Sequence, residues 1–497
     1  MRRAVSLWTT FAILVGFVAL GGRTVHAQEE MALPENCTVV ASDLVFPRFV
    51  TVAEDGTLFV SEAGSGGDEE LLVPEEFLAM FAEEAEPGAE EVGTPEMASP
   101  VAPEVLGSRG GTGQVTMVAP DGTQSVLAGG LSSYTFPEGI GPAGIAVADD
   151  GTVWLANGGA GPFTPFFDPL PTENSVLRID PATGEVTQVA DIGANERANN
   201  PDPNLVDSNL YGLDIAADGT VIVADAGGNA VYRVDPASGE LSVLAVLPGV
   251  APPEGMEIPE GGNPMRGGAI ELDPVPTGID VAPDGTVYVG LLSSEVTGAA
   301  RVLSIAADGT VGEVATGLSN VVDVATAPDG TLYASQISTD FEGEEPAPGN
   351  VLRINADGST EVVLDNLFFP NGIAFDQSGA LYVVIGTVTP EGQVLRCDLA
   401  ADSAQAAIQT IELRDYSFSP SEIVIPADTE VTLRLENRGF ASHDLTIDAL
   451  DVSSPRVRPG RTETLVFTAP PGDYLAYCSV TGHRAHGMVG TVRAVRS

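Results

Sequence analysis

LDIAADGTVIVAD, residues Leu213–Asp225, consists of two runs of alternating apolar residues joined by an Asp-Gly pair. Asp-Gly between such runs is a strong signal for a β-hairpin, because glycine readily adopts the left-handed backbone that a tight turn requires. The same pattern recurs around Gly56, Gly151, Gly285 and Gly330, and once more around Gly379, where Ser-Gly replaces Asp-Gly. The chain is therefore built on a repeated β unit.

A second hairpin pattern follows each of the first five repeats. These patterns read QVTMVAPDGTQSVL, SVLRIDPATGEVTQV, AVYRVDPASGELSVL, RVLSIAADGTVGEV and NVLRINADGSTEVVL, whereas the sixth repeat ends in the shorter GQVLRCDLAADS. Four strands per unit, six units and no helical periodicity between them predict a six-bladed β-propeller. We assign residues 28–400 to it, with an acidic insertion at about 64–108.

The sixth repeat lacks its outer strand, and CTVVASDL at residues 37–44 can supply it. Early and late segments of the chain would then pair in one blade. This pairing would bring Cys37 next to Cys397, the two cysteines outside the C-terminal region. In an exported protein such a pair favours a disulfide over two free thiols.

Four candidate metal ligands lie near the C-terminus. Cys478, His483 and Met488 fall in one short segment, YCSVTGHRAHGM, and His443 lies upstream. A thiolate, two imidazoles and a weak axial thioether are the ligands of a mononuclear blue copper site, because Cys and Met match the softness of Cu(I) while His serves either oxidation state. We predict one type 1 copper ion at these four residues, and no catalytic residue.

The segment is placed to work as a ligand loop. It lies between a strand that ends at Tyr477 and another that begins near Val489. His486 could replace His483, but the shorter step from Cys478 is usual in such loops, so His486 is assigned to the surface or to a supporting position. The alternative interpretation is a buried core thiol with histidines on a loop.

Residues 409–497 resemble a cupredoxin, and the loop CSVTGHRAHGM is most similar to those of auracyanin and azurin-type blue copper proteins. The resemblance implies a Greek-key β-sandwich that binds copper. Alternating apolar residues fit a half-buried antiparallel sandwich independently, at Ile423, Ile425, Val431, Leu433 and Leu435.

One position departs from the cupredoxin pattern. Many family members have Asn directly after the first His ligand, and this chain has Asp444. In the family that residue often ties the ligand loops together by bonding to the residue after Cys, here Ser479. Because Asp can still accept the bond, we expect a tuned potential and an intact site.

The repeats resemble NHL-type and lactonase-type six-bladed propellers, and more specifically the ScyD/ScyE family of scytonemin-pigment gene clusters. The segment ANNPDPNLVDSNLYGLDIA, from Ala198 to Ala216, carries the latter resemblance. It implies a fold without an established reaction. Asn371, in FPNGIAF, matches a metal-binding Asn of gluconolactonase-like enzymes, but Phe46-Pro47-Arg48 stands where those enzymes have their acidic ligand. This difference weighs against a lactonase.

Several polar residues are expected at the mouth of the central channel. Oxygen ligands of this kind suit a hard cation, so they form a weak candidate site for Ca²⁺ or a small ligand. More often such groups satisfy the backbone of loops. The residues are Asn200, Asp207, Ser208, Asn209 and Asn371.

The N-terminus and the remaining boundaries complete the domain assignment. In residues 1–27, Arg2 and Arg3 precede an apolar run and Val-His-Ala stands at the end, which predicts a secretory signal; an uncleaved membrane anchor is the alternative. No later segment is apolar for long enough to span a membrane, and residues 401–408 are a linker. We therefore expect an exported protein, at the cell surface, in the periplasm or outside the cell.

The net charge of −49 excludes some partners. The chain has 21 basic residues, none of them Lys, against 70 acidic ones. Such a chain repels phosphate backbones, so nucleic-acid binding is not expected, whereas a cationic partner such as a basic cytochrome is favoured.

Three classes of function remain. The favoured one is electron transfer through the copper domain, with the propeller as a binding scaffold. The second is a propeller enzyme, either an oxidoreductase that uses copper as electron acceptor or a lactonase-like hydrolase. The third is a structural or adhesive propeller with copper storage or sensing. A multicopper oxidase is not supported, because the sequence has no further His clusters to build an oxygen-reducing centre.

Overall fold

The computed structural model describes residues 33–72, 105–136, 138–161, 167–203, 206–253, 255–256, 262–263, 266–341, 346–399, 409–427 and 430–495. The predicted signal at 1–27, most of the acidic insertion and the predicted linker at 401–408 lie outside these residues. The chain divides into two compact units, Met1–Cys397 and Asp398–Ser497. Each unit is described by itself.

The first unit is a ring of six antiparallel sheets, which confirms the predicted six-bladed propeller. The chain begins with β1 (Cys37–Leu44), which belongs to the last blade. Blade 1 contains β2 (Pro47–Val52), β3 (Leu58–Glu62), β4 (Glu69–Leu72), β5 (Val105–Val118), β6 (Gln124–Thr135) and β7 (Gly139–Ile140). It therefore has two short strands beyond the four expected, β4 at the side of β5 and β7 after β6.

Blades 2 to 5 each have four strands in chain order. Blade 2 is β8 (Pro142–Val147), β9 (Val153–Asn157), β10 (Ser175–Ile179) and β11 (Val186–Asp191). Blade 3 is β12 (Leu210–Ile215), β13 (Val221–Asp225), β14 (Ala230–Val234) and β15 (Leu241–Val246). Blade 4 is β16 (Pro276–Val281), β17 (Val287–Leu291), β18 (Ala300–Ile305) and β19 (Val311–Leu318), and blade 5 is β20 (Val321–Thr326), β21 (Leu332–Gln336), β22 (Gly349–Ile354) and β23 (Thr360–Leu367).

Blade 6 closes the ring with strands from both ends of the propeller sequence. It contains β24 (Ile373–Phe375), β25 (Leu381–Ile385) and β26 (Gly392–Cys397), and β1 pairs antiparallel with β26. Cys37 lies opposite Cys397 in this pairing, and the two form a disulfide across 360 residues of sequence.

The Asp-Gly hairpins owe their shape to two residues in each turn. Gly219 has a φ of 85°, a conformation that favours glycine. The Thr220 N–H donates to Asp218 Oδ1 at 3.0 Å, and this bond lowers the pKa of Asp218. Equivalent bonds recur in other repeats, so the turn chemistry read from the sequence explains the register of the strands.

Carboxylates on the innermost strands link neighbouring blades. Asp214 of blade 3 accepts the N–H of Val281 at 2.7 Å, and Asp323 of blade 5 accepts the N–H of Ile373 at 2.7 Å. Asp280 of blade 4 accepts the N–H of Thr326 at 3.1 Å. These bonds join the innermost strands of blades 3 to 6 to one another around the central channel.

In the described part of the propeller one helix interrupts the β structure, although the sequence showed no helical periodicity. It is α1 (Ile192–Asn199), between β11 and β12. Asp191 caps its N-terminus by accepting the Ala194 N–H at 2.7 Å. At two turns the helix is too short for its periodicity to stand out in the sequence. Single 3₁₀ turns occur at Ser293–Glu295, Asp448–Leu450 and Arg484–His486.

The second unit is a sandwich of two sheets, as predicted. One sheet has the order β28 (Ser417–Ser419), β27 (Gln409–Arg414), β30 (Glu430–Asn437), β33 (Thr462–Thr468). The other has the order β29 (Glu422–Pro426), β35 (Val489–Val495), β34 (Gly472–Tyr477), β31 (Thr446–Ile447), β32 (Val452–Ser453). The apolar residues predicted from the alternation are buried in one core with Cys478 and Met488. Among the described helices of both units, none is long and apolar enough to cross a membrane.

Candidate metal centre

Two loops of the sandwich bring the predicted ligands together. His443 lies after β30 and is held by two backbone hydrogen bonds with Val457, of 3.1 and 2.8 Å. Cys478 directly follows β34, and Met488 directly precedes β35. His483 lies between them, where the loop turns through Arg484–His486. Paired strands thus fix both ends of the ligand loop.

The two imidazoles and the thiol face one another. Cys478 Sγ lies 3.5 Å from His483 Nδ1 and 4.0 Å from His443 Nδ1, and the two Nδ1 atoms are 3.2 Å apart. Donor atoms at about 2.0 to 2.3 Å from one tetrahedral or trigonal metal ion lie roughly 3.3 to 4 Å from one another. The three donors therefore fit a single copper ion.

Backbone hydrogen bonds hold Met488 close to Cys478 and His483. Met488 is fully buried, and the Cys478 N–H donates to the Met488 carbonyl oxygen at 3.1 Å. The Met488 N–H in turn donates to the carbonyl oxygen of His483 at 3.1 Å. These two bonds fix the position of Met488 relative to both other ligands of the loop.

Burial controls the protonation of the thiol. Cys478 and His443 are fully buried, and His483 is only 8% exposed. Burial raises the pKa of Cys478 and lowers that of His443 in the metal-free chain. Because the thiolate is the ligand form, loading with copper must release the thiol proton.

Asp444 ties the two ligand loops together. Its carboxylate accepts the Ser479 N–H and the Ser479 hydroxyl, both at 2.6 Å. The carboxylate also lies 3.9 Å from Arg456 Nε. The connection inferred from the cupredoxin resemblance is therefore present in this chain.

Asp415 orients His443, and the sequence reading did not find it. His443 Nε2 lies 3.2 Å from Asp415 Oδ1. An ionised carboxylate can only accept, so Nε2 carries the hydrogen and the lone pair of Nδ1 faces the thiol. The same carboxylate accepts the backbone N–H groups of Phe440 and Ala441, which lowers its pKa. A Cβ at Gly439 would lie 2.6 Å from Asp415 Oδ1, so this contact needs glycine.

Aromatic and basic side chains surround the ligand loop on the surface. The Tyr416 ring packs edge-on against His483, with centroids 5.3 Å apart, and also contacts His486 at 5.0 Å. Phe440 is 95% exposed. Arg484 is exposed and stacks on Tyr477 at 4.2 Å. His486 is exposed, with Nδ1 2.6 Å from the Gly482 oxygen, so it supports the loop from outside.

The polar residues predicted at the channel mouth fall into two groups. Asn371 is hydrogen-bonded to the Tyr211 hydroxyl and to Thr387. Ser208 and the Asn209 N–H both donate to Asp225, at 2.8 Å each.

The rest of the second group lies around α1. Asn200 ends the helix, with its N–H donating to the Glu196 carbonyl at 2.9 Å, and Asp207 is buried nearby. The participation of Glu196 and Asp225 was not predicted, because they come from a helix and a strand that only the fold brings together.

In blade 1, Arg48 lies in the segment where gluconolactonase-like enzymes have their acidic ligand. Arg48 is buried, donates to the Gly139 carbonyl oxygen and lies 3.7 Å from Glu138. The sequence predicted that an acidic ligand is missing here. The structure has the Arg48 guanidinium in this segment, and its acceptors are the Gly139 carbonyl oxygen and Glu138.

Comparisons with known proteins agree with this division. Residues 382–490 match the family model of the cupredoxin-like domain, a range that includes all four predicted ligands. Residues 316–420 match the SMP-30/gluconolactonase/LRE-like region, which includes Asn371. The two matches overlap around the end of blade 6, whereas the compact units divide after Cys397. No curated protein matches the chain.

Solved structures resemble each unit separately. Virginiamycin B lyase from Staphylococcus aureus is 12% identical with a TM-score of 0.37, over 73% of this chain and 99% of that one. A gluconolactonase from Xanthomonas campestris is 15% identical with a TM-score of 0.38, over 76% and 99%. A reduced auracyanin from the photosynthetic bacterium Roseiflexus castenholzii is 22% identical with a TM-score of 0.17, over 18% and 98%. Similarities of this size carry no argument about activity. The family-model matches and the sheets of the structure together show that the chain carries a cupredoxin-like domain at its carboxyl end. This domain is preceded by a β-propeller with an SMP-30/gluconolactonase/LRE-like region.

Proposed function

We propose that this protein is an exported type 1 copper protein that transfers one electron at a time. The observation that carries the proposal is the mutual approach of His443, Cys478 and His483, whose donor atoms all lie within 4.8 Å of one another. Copper bound there supplies a reversible one-electron change of oxidation state. The soft thiolate, with Met488 beside it, favours copper over zinc.

The protein groups hold this site rigid and dry. Asp444 joins the two ligand loops, Asp415 fixes the His443 ring, and burial excludes water from the thiol. A site with four protein ligands leaves no open position for a substrate, which favours electron exchange over substrate chemistry at this centre.

Electrons would enter and leave at the His483 side of the loop. His443 is fully buried, whereas His483 has a small exposed edge beneath Tyr416 and His486. The exposed rings of Tyr416 and Phe440 give a partner an apolar surface beside the ligands. This surface is the most direct approach to the site.

Charge is distributed unevenly between the two parts of the sequence. Residues 409–497 contain nine Arg and eleven Asp or Glu, whereas residues 28–400 contain nine Arg and 58 Asp or Glu. Long-range attraction of a cationic partner therefore comes from the propeller sequence, whereas the ligand loop itself carries the positive charge of Arg484. The propeller then serves as a scaffold that attracts or binds the partner.

The proposal is tested by adding Cu(II) to the purified full-length chain. We expect one copper per chain, an intense visible charge-transfer band and the electron-spin-resonance signal of a type 1 site. Stopped-flow reduction by a basic cytochrome should slow as ionic strength rises, because salt screens the acidic propeller. Copper-loaded protein without the visible band contradicts the metal assignment, and a salt-independent rate contradicts the attraction.

The match of residues 316–420 to the SMP-30/gluconolactonase/LRE-like region supports a second candidate, a propeller hydrolase or oxidoreductase. In the propeller, Asn371 lies just before β24 and is bonded to Tyr211. Arg48 of β2 lies where gluconolactonase-like enzymes have their acidic ligand. Turnover assays of the full chain against lactones and sugars decide this candidate. Turnover that reduces the copper would make the copper site an electron acceptor for the propeller.

A further inference from the structure

Five carboxyl groups are buried together between α1 and the loops that precede β12 and β16. Each of these residues is at most 7% exposed. They come from a helix, a strand end and three loop positions that are far apart in the sequence. The residues are Glu196, Asp202, Asp207, Asp225 and Asp273.

Positive charge in this region is insufficient to balance them. Arg266 lies 2.7 Å from Asp202 and 3.8 Å from Asp273. Among the residues that the structure describes, Glu196, Asp207 and Asp225 have no ion pair with an Arg or His. Buried carboxylates without a counter-charge are costly, so protons or a cation must neutralise them.

The available donors are committed to particular oxygens. Asp225 accepts from Ser208, Asn209 and Gly228, and the Asn229 amide donates to Asp202 at 3.0 Å and to Asp273 at 3.3 Å. Asp202 and Asp273 are thus held between Asn229 and Arg266.

Asp207 is the exception. Its Oδ1 is buried, and among the residues that the structure describes it has no hydrogen-bond partner. Burial raises the pKa of Asp207 well above its ordinary value, and repulsion from Asp225, Asp273 and Glu196 adds to the shift. The Gly227 backbone closes against this oxygen, and a Cβ there would collide with it. A carboxylate oxygen without a donor, inside an acidic cluster, is a free ligand for a cation.

We propose that this cluster binds one Ca²⁺ ion, with Asp207 Oδ1 as a direct ligand and the other carboxyl groups as surrounding negative charge. The donors are all oxygens, which suits a hard cation, and Ca²⁺ accepts irregular geometry where Mg²⁺ requires a near-ideal octahedron. In the described residues, the five carboxyl groups do not form a set of donors within 4.8 Å, as the copper ligands do. Backbone carbonyls and water would therefore complete the coordination.

This site differs from the one expected from the sequence. Of the predicted residues, Asp207 remains as a ligand and Asn200 lies at the end of α1. Ser208 and Asn209 act through Asp225, and Asn371 takes no part. The proposal is independent of the copper function.

The test uses the full-length chain stripped of metal with a chelator, titrated with Ca²⁺ alone in a calorimeter. With 70 acidic residues, weak surface binding forms a background, and the site is the saturable event above it. Asp207→Asn should remove this event, whereas Asp149→Asn, the same change at an exposed turn, should leave it unchanged. Ca²⁺ should raise the unfolding temperature of the wild type and of Asp149→Asn, but not of Asp207→Asn.

Without Ca²⁺, Asp207→Asn should be at least as stable as the wild type, because the substitution removes the cost of neutralising a buried carboxyl group. If Asp207→Asn does not fold, Glu196→Gln replaces it and should weaken Ca²⁺ binding roughly tenfold by removing one charge. Equal Ca²⁺ affinity in the wild type and in the variant overturns the proposal. So does a wild type that binds no Ca²⁺ above the background, in which case protons neutralise the cluster.

Discussion

Asp444 accepts both the backbone N–H and the hydroxyl of Ser479, at 2.6 Å each. Because these residues directly follow His443 and Cys478, the pair fixes the distance between the two loops that carry the ligands. The Asp444 residue is only 3% exposed, so both bonds form away from water. The connection is charge-assisted, unlike the amide connection that the resemblance implies for many cupredoxins.

Replacing Asp444 tests this connection. Asp444→Ala leaves the Ser479 N–H and hydroxyl without their acceptor, and we expect a loss of about 2 to 4 kcal/mol in the stability of the second unit. Asp444→Asn keeps one acceptor oxygen and should lose less. Chemical denaturation of the copper-free chain measures the stability, and a shifted visible band in the copper-loaded variants reports the altered ligand geometry. Equal stability of Asp444→Ala and wild type would contradict a structural role.

Cys478→Ser separates the copper colour from copper binding. The substitution removes the sulfur orbital from which charge transfer to copper occurs, so the intense visible band should disappear even when copper is bound. His486→Ala is the control and should keep the band, because His486 lies at the surface. A band that survives Cys478→Ser would refute the ligand assignment.

Arg484→Gln tests the local charge beside the ligand loop. Oxidation of the reduced protein by the anion ferricyanide should slow by about two- to fivefold at low salt, and oxidation by a cationic cobalt complex should accelerate. Stopped-flow spectroscopy follows both reactions, and the difference should vanish at high salt.

The matched control for this experiment is Arg493→Gln. Arg493 is also exposed, but it lies towards the far end of β35, about 16 Å along the strand from Met488. This variant should change neither rate appreciably. Equal effects of the two substitutions would show that only total charge matters and would remove the role assigned to the surface at Arg484.

Removing the disulfide should destabilise the propeller. The link between Cys37 and Cys397 spans 360 residues, for which the loop-entropy model gives an upper value of about 6 kcal/mol. Native disulfides contribute typically about 2 to 5 kcal/mol, and we expect Cys37→Ala/Cys397→Ala to lose an amount in that range. Calorimetry measures the loss, while the copper band should persist. Alkylation of Cys37 or Cys397 without prior reduction of the wild type would contradict the disulfide itself.

The stability of the propeller should fall as the pH rises from about 4 to about 8. Loss of solvent and repulsion from Asp280 raise the pKa of Asp214 to about 7, and burial raises those of Asp273 to about 6 and Glu295 to about 8. The native state therefore binds more protons than the unfolded state in this range, so deprotonation favours unfolding. Exposed turn residues such as Asp218 have lowered pKa values and act in the opposite direction below about pH 4.

Calorimetry with a chelator present should show a higher unfolding temperature at pH 5 than at pH 8. Asp214→Asn keeps an acceptor for the Val281 N–H but does not titrate, so it should reduce the slope. An unfolding temperature that rises from pH 5 to pH 8 would contradict this account.

The blades and the copper ligands could be predicted because their signals are local. Each Asp-Gly turn encodes its own hairpin, as the bond from Thr220 to Asp218 illustrates, and the three ligands of the loop lie within eleven residues. The pairing of β1 with β26 could be predicted as well, because the sixth repeat lacked its outer strand and residues 37–44 formed a strand outside the six repeats.

The remaining features depend on contacts between distant segments. Asp415 reaches His443 only because β27 and β30 lie side by side, and no spacing in the sequence indicates this contact. The grouping of Glu196 with Asp225 requires α1, which is too short to predict from periodicity.

The pairing of β1 with β26 also determines when the ring can be completed during synthesis. β1 leaves the ribosome more than 340 residues before its partner, so its hydrogen-bonding edges stay exposed until blade 6 has been made. The propeller therefore folds late, through contacts of very long sequence separation, and its incomplete forms carry an open edge that can pair with other chains. The second unit begins one residue after Cys397, so the completed ring and the start of the copper unit are reached almost together.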